Sequence, residues 1–68
     1  YDAKYHLAVA TLGEILALEP NDLLAHKRLG SAYYSLGRMT EARRAWSTAL
    51  ALAPQDKTLR QFLEKTRR

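Results

Sequence analysis

Few residues in this chain have the type and spacing for chemistry. The two histidines, His6 and His26, lie 20 positions apart. Neither sits in an HxxxH or HExxH spacing, which would place two imidazoles on one helix face around a metal. There is no cysteine, so there is no thiolate to attack a substrate or hold zinc and no disulfide. Ser31, Ser35 and Ser47 lack the GxSxG turn that exposes a nucleophilic hydroxyl. Asp22 and Asp56 each close a Pro-x-Asp triplet, where a carboxylate caps a helix by accepting from its free first-turn amides. His26 is expected to serve packing or a hairpin edge. The sequence therefore gives no reason to expect catalysis, a metal or a cofactor.

Charge is the next clue. Eleven Lys and Arg against seven Asp and Glu leave a net charge of +4. Arg60, Lys65, Arg67 and Arg68 crowd the last nine residues. Cations in a final helical turn favour the negative end of the helix dipole, which is the reading adopted for them. A nucleic-acid surface is the rival reading, but interleaved aromatics are missing. No apolar run approaches the roughly 20 residues needed to cross a bilayer, so no membrane insertion is expected. Sixty-eight residues make one small domain with a thin core. The chain opens on Tyr1 without methionine and reads as a piece of a longer, cytoplasmic protein.

The elements that carry these residues are helical throughout. Pro20, Gly37 and Pro54 divide the chain, and no segment alternates polar and apolar residues as a strand would. The first helix is predicted from Ala3 to Leu18, with Tyr5, Ala8, Val9, Leu12, Ile15 and Leu16 forming an apolar stripe. The second runs from Leu23 to Leu36, capped by Asp22 and ended by a left-handed Gly37. The third runs from Glu41 to Leu52 with Thr40 as its N-cap. The fourth runs from Lys57 to Thr66 after Asp56, with Leu59, Phe62 and Leu63 on one face. Short loops make neighbouring helices antiparallel hairpins.

A repeat underlies this order. Pro20-Asn21-Asp22 returns as Pro54-Gln55-Asp56, 34 residues later, and Ala8 and Leu12 return as Ala42 and Trp46. His26-x-x-Leu29-Gly30-x-x-Tyr33, then Ala42-x-x-x-Trp46, Ala49 and Pro54 follow in sequence. This pattern and period resemble the tetratricopeptide repeat, a helix–turn–helix unit. His26 stands where that family most often has tryptophan, and Trp46 where it usually has phenylalanine. The resemblance implies an all-α fragment of a right-handed solenoid with about four helices. Residues 1–22 would hold the second helix of a partial preceding repeat, 23–56 one complete repeat, and 57–68 a C-terminal capping helix. In the last, Glu64 and Arg67 replace the family's glycine and tyrosine. Gly30, which costs roughly 1 kcal/mol in a helix interior, and Ala42 are then small so that the two helices nearly touch backbone to backbone. Tyr33 and Trp46 fill the space beside the contact.

The family uses the inner face of its first helices to bind peptides, and carrying that habit onto the second helix selects Leu24, Lys27, Arg28, Ser31, Tyr34 and Ser35. They fall at i, i+3, i+4, i+7, i+10 and i+11, one stripe of two cations, two hydroxyls and a ring. An acidic peptide or partner protein would suit it. Some members clamp a chaperone's C-terminal carboxylate with lysine and asparagine; Lys27 and Arg28 take clamp-like places, but Ser31 stands where asparagine is needed. The first helix lacks the partner helix of its own repeat. Its stripe around Tyr5, Leu12, Ile15 and Leu16 is therefore expected to be exposed, either for upstream repeats or for a homodimer. The resemblance thus implies a scaffold or adaptor module, with a purely structural end-cap of a larger assembly as a further alternative.

Overall fold

The computed structural model describes residues 3–66, so the expectations for Arg67 and Arg68 lie outside the described residues. Four helices follow one another: α1 Ala3–Leu18, α2 Leu23–Ser35, α3 Met39–Leu52 and α4 Lys57–Lys65. Each packs mainly on its neighbour in sequence, and the α2–α3 hairpin is the most extensive contact. Such serial packing is the mark of a solenoid fragment, in which contacts are local along the chain.

The turns explain the helix ends. After α2, Gly37 takes a φ of 78°. Its amide donates to the Tyr34 carbonyl at 3.0 Å, and the Arg38 amide donates to the Tyr33 carbonyl at 2.9 Å. These two bonds are the Schellman pattern, which satisfies the last carbonyls of a helix and needs a left-handed residue. The pattern uses Arg38, and the same residue is the N-cap of α3, without a side-chain cap bond. Thr40 is therefore not the cap the sequence suggested. The tight turn starts α3 at Met39 and draws Thr40 into its first turn.

The two proline turns are copies of each other. Asp22 Oδ1 accepts from the Ala25 amide at 3.0 Å, and Asp56 Oδ1 accepts from the Leu59 amide at 3.1 Å. His26 Nε2 donates to the Pro20 carbonyl at 2.8 Å, and Arg60 Nη2 donates to the Pro54 carbonyl at 2.8 Å. The backbone bonds Asp22 N to Glu19 O and Asp56 N to Ala53 O also correspond, at 3.1 and 3.0 Å. All of these pairs are 34 positions apart. His26 is thus a latch that holds a turn to the helix it starts.

The core is centred on α3. Ala42, Trp46, Ala49 and Leu59 form one buried cluster, with Leu23, Tyr33, Leu50, Phe62 and Leu63 packed around it. Trp46 stacks on Phe62 with ring centroids 4.8 Å apart and meets Tyr34 at 5.8 Å. The reason for Gly30 differs from the one the sequence suggested. A Cβ there would lie 2.8 Å from Trp46 Cε2 and closer still to Cδ1 and Nε1. What glycine admits is the indole of Trp46, which takes the space a side chain would fill.

Candidate partner-binding surface

The predicted stripe on α2 lies between two hollows. On the α1 side, a hollow of about 510 Å³ is lined by Tyr5, Leu12 and Ile15 of α1 with Arg28, Ser31 and Ser35 of α2, among others. On the α4 side, a hollow of about 180 Å³ is lined by Ser31, Tyr34 and Ser35 with Trp46, Phe62, Lys65 and Thr66. Ser31 and Ser35 therefore face both. Leu24 and Arg28 join Leu12 and Ile15 in a smaller recess. Tyr34 is 48% exposed, so its ring covers the edge of Trp46 while its other side meets solvent.

Lys27 is placed differently from the rest of the stripe. Its Nζ donates to Asp56 Oδ2 at 2.8 Å, so the cation is engaged with the cap of α4. Asp56 thus binds two donors, the Lys27 ammonium and the Leu59 amide. The Lys27 hydrogen bond first, and the Leu59 amide second, hold its carboxyl below the ordinary carboxylate range. A carboxylate whose folded pKa is lowered contributes stability above its unfolded value, near 3.9, and loses it as pH falls through the folded value. Urea midpoints of the native chain are expected to drop as the buffer is acidified from pH 5 to pH 2. In Lys27→Met the drop should be shallower, and in Asp56→Asn shallower again. Equal slopes for all three would mean that the pair does not tie α4 to α2.

The exposed part of α1 also differs from expectation. Leu12 is its buried residue, because α1 leans on α2. Tyr5 and Leu16 are half-buried. The open apolar surface falls instead on Leu7, at 68% exposed, and on Leu18, at 85%, with Ile15 partly open. Ala8, Thr11, Leu12 and Ile15, which line the larger hollow, stand 34 positions before Ala42, Ala45, Trp46 and Ala49. Those four are the buried residues of α3, and α2 packs against that helix. The larger hollow is thus the counterpart on α1 of the seat that α2 fills on α3.

Among the described residues, no group of three His, Cys, Asp or Glu is placed to hold a metal, and no helix is long and apolar enough to cross a membrane. Trp46, Phe62, Lys65 and Thr66 were not among the residues the sequence put in the groove. Carrying Arg28 and Ser31 forward by one 34-residue period reaches Phe62 and Lys65, so the repeat itself held the missing signal.

Serial antiparallel hairpins, a 34-residue period in both sequence and hydrogen bonds, and an open stripe between neighbouring helices define a helical repeat protein. A family model described as tetratricopeptide repeat matches residues 2–65. The chain belongs to the tetratricopeptide repeat family. Domains of this family are generally non-catalytic modules of protein–protein interaction. Neither a curated protein nor a solved structure matched the chain.

Proposed function

We propose that the chain is an adaptor module that receives a peptide or partner protein along α2, with one complete repeat at 23–56 between a leading helix and a capping helix. The observation that carries this reading is the open stripe of Arg28, Ser31, Tyr34 and Ser35 between two hollows. Arg28 supplies an exposed cation without an ion pair among the described residues, the serines supply hydroxyl donors and acceptors, and Tyr34 supplies a half-exposed ring. That set favours a partner with acidic character, bound by charge-assisted hydrogen bonds and ring contacts. Lys27 is left out of the contact set, because Asp56 holds it. Nucleic acid remains the weaker reading, since the cations are not interleaved with rings along a track.

Pull-down of cellular partners with the native chain, Lys27→Met, Arg28→Glu and Tyr34→Ala tests the stripe. Arg28→Glu and Tyr34→Ala should each weaken capture about tenfold, equivalent to roughly 1.4 kcal/mol. Lys27→Met should capture normally once its melting temperature is matched by cooling. Capture that ignores all three changes would remove α2 from the contact.

A second reading rests on the hollow over α1. Its match in register to the seat that α2 fills makes a helix its natural occupant, from an upstream repeat or, in the homodimer reading, from a second copy that meets Tyr5, Leu7, Leu12 and Ile15. Sedimentation at rising concentration should then show a monomer–dimer equilibrium, abolished by Leu7→Glu with Ile15→Glu. A monomer at millimolar concentration would rule this reading out.

A further inference from the structure

Among the described residues, two buried side-chain nitrogens lack a hydrogen-bond partner, Arg43 Nε and Trp46 Nε1. Native proteins rarely bury a donor without an acceptor, so each such group asks for a cause. Both belong to α3; Trp46 Nε1 is closed off against Gly30, and the two residues line two adjoining hollows at the α4 edge. Trp46 lies in the hollow described above with Phe62, Ser31 and Ser35. Arg43 lies in a neighbouring hollow of about 320 Å³ with Tyr34, Met39, Thr40, Lys65 and Thr66. Tyr34, Lys65 and Thr66 line both, so the two spaces adjoin.

Their chemistry is unlike. The first is floored by the stacked rings of Trp46 and Phe62. The second has two cations and no carboxylate among its lining residues. Neither Arg43 nor Lys65 is held in an ion pair among the described residues. The hydroxyls of Tyr34 and Thr40 add donors. The Thr66 hydroxyl does not, since its proton goes to the Phe62 carbonyl at 2.9 Å. Met39 and Thr40 are the first residues of α3, the helix that starts without a side-chain cap. First-turn amides without a side-chain cap add partial positive charge at the same place, offset in part by Glu41 of that turn.

We propose that this edge binds a phosphorylated segment of the partner protein, with the phosphate between Arg43 and Lys65 and a neighbouring apolar side chain on Trp46 and Phe62. This rests on the protein-interaction reading above and names the chemistry of one end of that surface. A phosphate monoester carries about −1.5 to −2 charges and three acceptor oxygens at neutral pH, which matches two cations and several donors. A carboxylate brings one charge and two oxygens and leaves half of this set unused. Arg43 Nε is covered, so it is the terminal nitrogens of the guanidinium that meet the phosphate. The hollows adjoin, so the apolar residue stands next to the phosphorylated one in an extended segment, about 3.3 Å per residue.

The test is an NMR titration of the ¹⁵N-labelled 68-residue chain with acetyl-Leu-phosphoserine-amide. Acetyl-Leu-Ser-amide, inorganic phosphate and a short single-stranded DNA serve as comparisons. The phosphorylated probe should move the amide signals of Met39 to Arg43 and the Trp46 indole signal, and should saturate at a concentration about tenfold lower than the first two comparisons. Arg43→Gln with Lys65→Gln should raise that concentration about tenfold or more. Lys65→Gln alone, at an exposed position, keeps the test readable should the double variant unfold. Inorganic phosphate acting as well as the probe would leave an ordinary anion site and overturn the proposal. Equal binding of the unphosphorylated probe, tighter binding of the oligonucleotide, or no response at about 10 mM would overturn it too. If the probe fails while Arg28→Glu still weakens partner capture, the phosphate site falls and the groove on α2 stands.

Discussion

Gly30→Ala is expected to lower the melting temperature of the native chain and to raise it when Trp46 has been replaced by leucine. The sign depends on what occupies the space in front of residue 30. A methyl group there runs into the five-membered part of the Trp46 indole. That part lies close to the tryptophan backbone, and the ring is 3% exposed between Tyr34 and Phe62. The indole cannot swing aside as the end of a lysine could. Overpacking of this kind costs about 1–3 kcal/mol, while replacing a helical glycine by alanine gains roughly 1 kcal/mol. The net for the native chain is a loss of up to about 2 kcal/mol, and each kilocalorie shifts the melting point of a domain this size by about 4–8 °C. Trp46→Leu costs about 3 kcal/mol by itself through the cavity it leaves. In that background the obstacle is gone and only the helical gain remains. Gly30→Leu should leave the native chain unfolded at room temperature. The measurement is a double-mutant cycle by thermal denaturation, in which contacting residues give a coupling of about 0.5–3 kcal/mol. If Gly30→Ala stabilises both backgrounds equally, the glycine does not serve the indole.

The sequence carried most of this architecture because the devices that punctuate it are local. Asp22, Asp56 and Gly37 act within four or five residues of themselves, so the ends of α1, α2 and α4 could be read to within about a residue. The start of α3 could not, because the Schellman turn and the next helix share Arg38, and propensity alone points to Thr40. The apolar faces were also legible from their helical spacing, yet which of them stay open was not. Leu12 belongs to the same stripe as Ile15 but is covered by α2, whereas Leu7 and Leu18, outside the stripe emphasised from spacing, are the open residues. The spacing of the stripe proposed on α2 could be read along the chain, because one helix face is a one-dimensional pattern. What crosses between helices did not emerge. Lys27 meets Asp56 across 29 positions, and no spacing rule on a single helix foretells that a groove cation will be taken by the next helix's cap. Arg43 and Lys65 come together for the same reason, through the stacking of α2, α3 and α4 rather than through any motif.

Leu59→Ala should remove between about a fifth and all of the chain's stability and release α4 first. Leu59 is 0% exposed and is the largest fully buried side chain among the described residues. Truncating such a leucine costs about 2–5 kcal/mol. A chain of this length has roughly 3–10 kcal/mol to lose at about 0.05–0.15 kcal/mol per residue. The loss is not spread evenly, because each helix packs mainly on its neighbours and opening can begin at an end. Undocked, α4 has nine residues, too few to stay helical in water. Its melting takes Phe62 off Trp46 and breaks the Lys27 contact with the Asp56 cap. Tryptophan emission should therefore shift to the red at urea concentrations where circular dichroism still reports most of the helix, and the gap between the two transitions should be wider than in the native chain. Hydrogen exchange should quicken in α4 before the α2–α3 hairpin. Leu63→Ala, at a half-buried position, should do the same to a smaller extent. A single coincident transition with less than about 1 kcal/mol lost would mean that α4 is held elsewhere than at Leu59. The α4 wall of both hollows would then need another origin.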